Sequence, residues 1–315
     1  MRGHVKTGLV SDVRFSLHRA PGEHPERPER VEAILAALDA GRLRSQLVPV
    51  DARPATRAEL ERAHASRFLD DLEATIGSPV LADRKAGWID PDTYYSEHSW
   101  EAAVLAAGST VELASRVARG ELEAGLAVVR PPGHHATRDA AMGFCLLNNI
   151  AVAAAALRAD GARVAIIDWD LHHGNGTEDI FVEEPDVLYV SLHEAPQYPG
   201  TGPADFRGRG RGVGATLNVP LPSGTDDAAW CAAYDAVVAP VVAKFQPDVI
   251  LVSAGFDAHR DDPLGNLMLT ERTFVRTTRH LLTVQRRICL VLEGGYDLRA
   301  LGSSVAAVTE VLVSS

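Results

Sequence analysis

Short apolar runs alternate with longer amphipathic stretches along this chain. The runs at 125–129, 163–168, 186–191, 247–254 and 287–293 are rich in Val, Ile, Leu and Ala, the pattern of strands buried on both faces. Between and before them, 99–119, 147–159, 226–245 and 270–284 read as helices, the second running through the Ala-rich stretch Ala151 to Ala156. Such alternation predicts an α/β fold built on a mainly parallel multi-stranded sheet with helices on both faces. In sheets of that kind, ligands collect beyond the carboxyl ends of the strands. At 315 residues and 46% hydrophobic content, with no Gly/Ser or Pro tract and no internal repeat, residues 1–315 read as one domain.

The strand ends carry the chemistry. Val164-Ala165-Ile166-Ile167 runs into Asp168-Trp169-Asp170-Leu171-His172-His173-Gly174-Asn175-Gly176. Side chains two apart share a face of an extended chain, so Asp168, Asp170 and His172 are expected to point the same way. A carboxylate and an imidazole suit zinc, whose catalytic sites take three protein ligands and leave a position open. Asp257 is the best candidate for the third ligand, because Val249 to Ala254 repeats the grammar of an apolar strand ending in small residues and a carboxylate. One Asp after a strand is commonly a cap or turn former; two such tips and a His argue for a shared ion.

Two further tips converge on the same chemistry. Gly125 to Val129 leads into Arg130-Pro131-Pro132-Gly133-His134-His135-Ala136, where a rigid lead presents adjacent imidazoles suited to proton transfer. Ile288 to Leu292 leads into Glu293-Gly294-Gly295-Tyr296-Asp297. Its glycines let the backbone approach a ligand, and Tyr296 can donate a hydroxyl to a developing oxyanion.

In this order, with His24-Pro25-Glu26-Arg27-Pro28-Glu29-Arg30, Gly143 to Asn149, Pro199-Gly200-Thr201-Gly202 and Ser253 to Asp257, the motifs resemble the arginase/deacetylase superfamily and, within it, the zinc-dependent histone deacetylases. The resemblance covers nearly the whole chain and implies the arginase/deacetylase fold as one catalytic domain. It implies one zinc per chain held by Asp170, His172 and Asp257. His135 is then the general base that becomes the acid, and His134 its electrostatic partner. Asp168 orients His134, and Asn175 orients His135. Asn at 175 resembles the class II branch and its bacterial relatives, and leaves His135 less basic than a carboxylate would. Tyr296 holds the oxyanion with zinc. Phe144 and Tyr198 match the aromatic walls of a substrate tunnel, and Gly143 and Gly294 bring backbone to the substrate. One or two structural potassium ions are also implied, the nearer at Asp168, Asp170, His172, Ser191 and Leu192, the other around Phe181, Glu184 and Val187. Arg30 matches a residue lining an internal channel.

Leu264, in Asp262-Pro263-Leu264-Gly265, stands where a polyamine-preferring relative carries Glu. An apolar residue there favours hydrolysis of N-acyl-lysine on a peptide or protein. Acetylpolyamines or other small acylated amines are the alternative, since Asp90, Asp92 and Glu97 lie in a loop that can reach the mouth. Ureohydrolysis is disfavoured, because a paired manganese site calls for more carboxylates at the ligand motif. A zinc-holding reader without turnover needs neither the tandem histidines nor Tyr296.

Charge and cysteine usage narrow the setting. A formal net charge of −11 argues against nucleic acid as a partner, since phosphate contacts need a basic surface. Cys145, Cys231 and Cys289 lack metal spacing and read as reduced core residues. The start has no apolar signal core and no run is expected to reach the length of a membrane span, so the cytoplasm is the expected location and no membrane contact is expected. Homo-oligomerisation is left open.

Overall fold

The computed structural model describes residues 6–77 and 86–314. Ten strands are present among them: β1 (Thr7–Val10), β2 (Val48–Pro49), β3 (Ala86–Trp88), β4 (Tyr94–Ser96), β5 (Ala124–Ala127), β6 (Val164–Asp168), β7 (Val187–Glu194), β8 (Thr216–Leu221), β9 (Val249–Ala254) and β10 (Ile288–Leu292). Eight form one sheet in the order β2-β1-β5-β10-β9-β6-β7-β8, every adjacent pair parallel. β3 and β4 make a separate antiparallel ribbon. The sheet is therefore wholly parallel where a mainly parallel one was predicted, and the five predicted strands are its central members and β7.

Alternation within each strand divides the core in two. On β6, Val164 and Ile166 face one apolar cluster while Ala165 and Ile167 face the other, and β9 and β10 alternate in the same way. Helices Ser99–Ala118 and Asn149–Ala159 cover the first face. Helices Glu29–Ala40, Glu271–Val284 and Leu298–Ser314 cover the second with the Asp227–Phe245 stretch. Both faces are thus hidden, which is why these strands need no polar alternation. The predicted helix boundaries lie within two residues of the observed ones.

Asp227–Phe245 corrects one expectation. It is 19 residues long with a mean hydropathy of 1.3 over its most apolar window, enough by length and composition to cross a bilayer. Its alanines and valines raise that average, yet only Trp230, Tyr234, Val238 and Val242, four residues apart, are buried, and they pack on the domain's own core. A π-helical turn at Tyr234–Val238 interrupts it.

The first face closes through a glycine. Ala55 donates its N–H to Val104 O at 2.9 Å, drawing residues 53–55 onto helix Ser99–Ala118. A Cβ on Gly108 would lie 2.1 Å from Ala55 N and 2.2 Å from Pro54 C. Backbone cannot yield as a side chain does, so Gly108→Val is expected to cost at least ~1–3 kcal/mol. Thermal denaturation monitored by circular dichroism should show a lowered midpoint for it and an unchanged one for Gly22→Ala, where no atom lies within 4 Å of the added carbon.

Candidate active site

Four adjacent strands, β5, β10, β9 and β6, deliver the site from their carboxyl ends. Asp170 and His172 follow β6, Asp257 follows β9, His134 and His135 follow β5, and Tyr296 follows β10. Parallel pairing brings loops that are far apart in sequence to one edge.

Asp170, His172 and Asp257 offer one ligand atom each within 4.8 Å of one another. His172 Nδ1 lies 3.2 Å from Asp170 Oδ1 and 3.0 Å from Asp257 Oδ2. The other oxygens are occupied by main chain: Gly294 N donates to Asp170 Oδ2 at 2.8 Å and Leu171 N to Asp257 Oδ1 at 2.9 Å. Asp257 is thereby aimed by one oxygen and turns the other to His172, while Asp170 is held through both, its Oδ1 also accepting the main-chain N–H of His172 at 2.9 Å. Such close approach requires glycine on both sides, since a Cβ at Gly255 would sit 1.9 Å from Asp170 Oδ2 and one at Gly294 2.2 Å from Asp257 Oδ2. Burial and then the charge of Asp170 push Asp257 up to about 7, while His172, despite its own burial, is pushed up to about 10 by hydrogen bonds to both carboxylates. Two buried carboxylates around one imidazole form an anionic nest that a divalent cation neutralises, and an O, N, O donor set suits zinc.

Asp168 and Asp170 both flank His134, with Asp170 Oδ1 3.8 Å from Nε2, so the two carboxylates share a side as expected. The strand ends at Asp168, whose Oδ1 accepts the N–H of Asp170 at 3.1 Å. Its Oδ2 faces His134 Nδ1 at 3.0 Å and accepts the hydroxyl of Tyr189 at 3.1 Å. Asp168 therefore lies outside the three-residue cluster and beside a histidine.

The tandem histidines have unlike surroundings. Burial opposes the charged form of His134, but Asp170 and Asp168 outweigh it and raise its pKa well above the usual histidine value. His135 meets Asn175 Oδ1 at 2.8 Å through Nδ1. Burial, and then the charges of His134 and His172, drive its pKa well below the usual value. Their backbone is fixed by the helix Asn175–Phe181, whose Gly176 and Thr177 N–H groups both donate to His134 O at 3.1 Å. Glu293 Oε2 accepts from Gly133 N at 2.6 Å and from His134 N at 3.1 Å.

Aromatic side chains surround the histidines. The Tyr198 ring stands 5.1 Å from His135 and 6.2 Å from His172, edge to face. Phe144 lies 5.8 Å from Tyr296. It adopts a φ of 67°, a left-handed conformation costly for a bulky residue, and Thr93 Oγ1 accepts its N–H at 3.1 Å. Gly143, at φ 56°, packs against His135 so closely that a Cβ would be 2.5 Å from the ring, and its carbonyl accepts the thiol of Cys145 at 3.3 Å. Leu264 is half-buried, and its carbonyl accepts Gln197 Nε2 at 3.3 Å.

Ser191 and Leu192 are buried on β7, where Ser191 pairs in register with Asp168 and shares a hydrogen bond with His193 Nδ1 at 3.0 Å. In the second predicted cation region, Phe181 O already accepts Glu184 N at 2.9 Å and Glu184 O accepts Val187 N at 3.4 Å. Cys145 and Cys289 are buried free thiols, whereas Cys231 is half-buried on its helix and packs at the edge of the second core cluster.

Beneath Tyr296 lies a charged network in which the sequence reading gave a place to Arg30 but no role to Glu26, Tyr94 or Arg130. Arg130 forks onto Glu26, with Nη2 2.7 Å from Oε2, and Tyr94 donates to the same oxygen at 2.6 Å. Arg30 Nη1 reaches Glu26 Oε1 at 3.1 Å, its Nε donates to Gly295 O at 2.7 Å, its Nη2 donates to Glu293 O, and its guanidinium lies 5.0 Å from the Tyr296 ring. A charged Arg130 directly after Val128-Val129 was the available sequence signal.

A family model described as Histone deacetylase domain matches residues 24–312. Among curated relatives, Histone deacetylase 15 of Arabidopsis thaliana is 44% identical over 98% of this chain and 56% of its own length. Histone deacetylase 10, chloroplastic, of Oryza sativa subsp. japonica is 42% identical over 90% of this chain and 68% of its own length. The chain thus spans little more than half the length of the first of these. The crystal structure of the HDA15 HD domain superposes with a TM-score of 0.92 at 41% identity, covering 98% of this chain and 89% of that one. A match this extensive in sequence and in fold places the chain in the histone deacetylase family.

Proposed function

We propose that this chain is a zinc-dependent deacylase that hydrolyses the side-chain amide of N-acyl-lysine in peptides or proteins. The observation that carries the reading is the pair of adjacent histidines with opposite electrostatics, packed against the Asp170, His172 and Asp257 cluster and faced by aromatic walls. Those three residues would hold the metal, which when bound polarises an acyl carbonyl and lowers the pKa of water.

The residues divide the remaining work. His135 is neutral, so it can take the proton of an attacking water and return it to the leaving amine. His134, clasped by Asp168, retains its proton and supplies fixed positive charge beside the base. Burial and then Asp257 raise the Tyr296 hydroxyl well above its usual value, so it stays protonated and donates to the oxyanion. Phe144 and Tyr198 guide an extended alkyl chain inward, Gly143 and Gly294 keep the backbone close to it, and Leu264 adds apolar surface at the rim. A potassium ion held by oxygens near Asp168, Asp170, His172, Ser191 and Leu192 belongs to the same proposal. Small acylated amines are a second reading, favoured by one observation: Thr93, which holds Phe144, also donates to Asp92 at 3.1 Å, setting a carboxylate beside the tunnel wall.

Turnover of an acetyl-lysine peptide and of N-acetylputrescine should be measured side by side. Peptide cleavage is expected, with Tyr296→Phe lowering kcat by about 10²–10³-fold. Activity on acetylputrescine alone would transfer the assignment to small amines. In the pH profile of kcat/KM, Asn175→Asp should move the acidic limb to higher pH, because a carboxylate stabilises the protonated imidazole and the base is active only when neutral. An unmoved limb would remove His135 from the base role. Chelation of the metal should abolish turnover and lower the thermal midpoint, since the buried carboxylates lose their counter-charge, and added zinc should restore both.

A further inference from the structure

Asp262 takes no part in the mechanism above, yet it is 6% exposed and accepts three main-chain hydrogen bonds. Its Oδ2 receives Tyr296 N at 2.6 Å and Asp297 N at 3.2 Å. Its Oδ1 receives Leu264 N at 3.0 Å. One carboxyl group therefore grips the residue that donates to the oxyanion and the apolar residue at the tunnel rim.

Asp262 shares the fixing of Tyr296 with Arg30, which holds the carbonyl of the same peptide and lies against the ring, and with Asp297, which accepts Ala300 N at 2.7 Å at the start of the next helix; only Asp262 takes the Tyr296 N–H. Arg30 holds the carbonyls of Glu293 and Gly295, and Asp170 takes the N–H of Gly294, so the segment is secured up to Gly295. Gly295, at φ 116°, is a conformational joint that sets no direction for the next residue. Beyond that joint, the N–H groups of Tyr296 and Asp297 are both claimed by Asp262.

We propose that Asp262 is a positioning residue: it aims the Tyr296 hydroxyl by clamping its peptide N–H and locks Leu264 in the same frame. The inference rests on the deacylase reading and on Tyr296 as oxyanion donor. A carboxylate suits the position because all three groups it meets are donors. An Asn amide of the same shape has one oxygen, so its NH₂ must face at least one N–H, and Asp262→Asn breaks the clamp without a change of volume.

The test combines kinetics with amide exchange. Asp262→Asn should lower kcat by about ten- to a hundredfold, the loss expected for a buried hydrogen bond to a charged group. The same change made in Tyr296→Phe should alter residual turnover by less than about threefold, because the effect passes through the lost hydroxyl. Full additivity of the two losses would overturn the assignment, since a general structural defect costs the same in either background. In the unaltered protein, hydrogen exchange read by mass spectrometry should show the amides of 296–297 protected although they lie outside any strand; fast exchange there would also overturn it, even if the variant failed to fold. A Tyr296→Phe enzyme with undiminished kcat would instead sink the oxyanion reading itself, whereas an impaired Tyr296→Phe beside an unimpaired Asp262→Asn would sink only the clamp.

Discussion

The architecture depends on how buried negative charge is satisfied. Glu26, Asp168, Asp170, Asp257, Asp262 and Glu293 are all buried around the carboxyl ends of the central strands. A carboxylate stripped of water must find donors or a counter-charge, and these six find them in several ways. Glu26 is met by two guanidinium groups, Asp168 by an imidazole and a phenol, and Asp262 and Glu293 by peptide N–H groups. Asp170 and Asp257 share His172, and the negative charge left over is what a metal ion held there would answer. Loop positions follow from these demands, so the geometry of the site and the stability of its loops have a common physical origin.

That arrangement also separates the two histidines. They are adjacent in sequence and their rings are 4.1 Å apart, so two like charges cannot be held there cheaply. Against burial, Asp170 and Asp168 raise the pKa of His134, while burial and then the charges of His134 and His172 lower that of His135, a fall that the Asn175 amide opposes less than a carboxylate would. Their hydrogen-bond partners, Asp168 and Asn175, lie 34 and 40 residues downstream, at and just beyond the end of β6.

Much of this was legible in the sequence. Continuous apolar runs marked β6, β9 and β10 because burial on both faces leaves no polar alternation to confuse the reading, and the chemistry stood at their tips. Strand periodicity put Asp168 and Asp170 on one side, and both flank His134. What was missed has local causes. β1, of four residues, and the two-residue β2 are too short to show a period. Cys231 sits among apolar neighbours on a helix with only one buried stripe, so composition alone could not tell its side. Asp262 and Glu293 act through backbone hydrogen bonds, which leave no signature in residue spacing.

The order of strands in space has a consequence for how the molecule comes into being. β10 lies between β5 and β9, yet it is the last of the described strands in sequence, beginning at Ile288. During synthesis, the sheet centre therefore stays open until the chain has been made through Leu292, and the late strand must enter a gap between strands made before it. Parallel pairing over such sequence distances is slow, and an unfilled gap exposes two strand edges to other chains. The strand that completes the sheet is also the one that carries Glu293 and Tyr296, so closing the core and assembling the site are a single event.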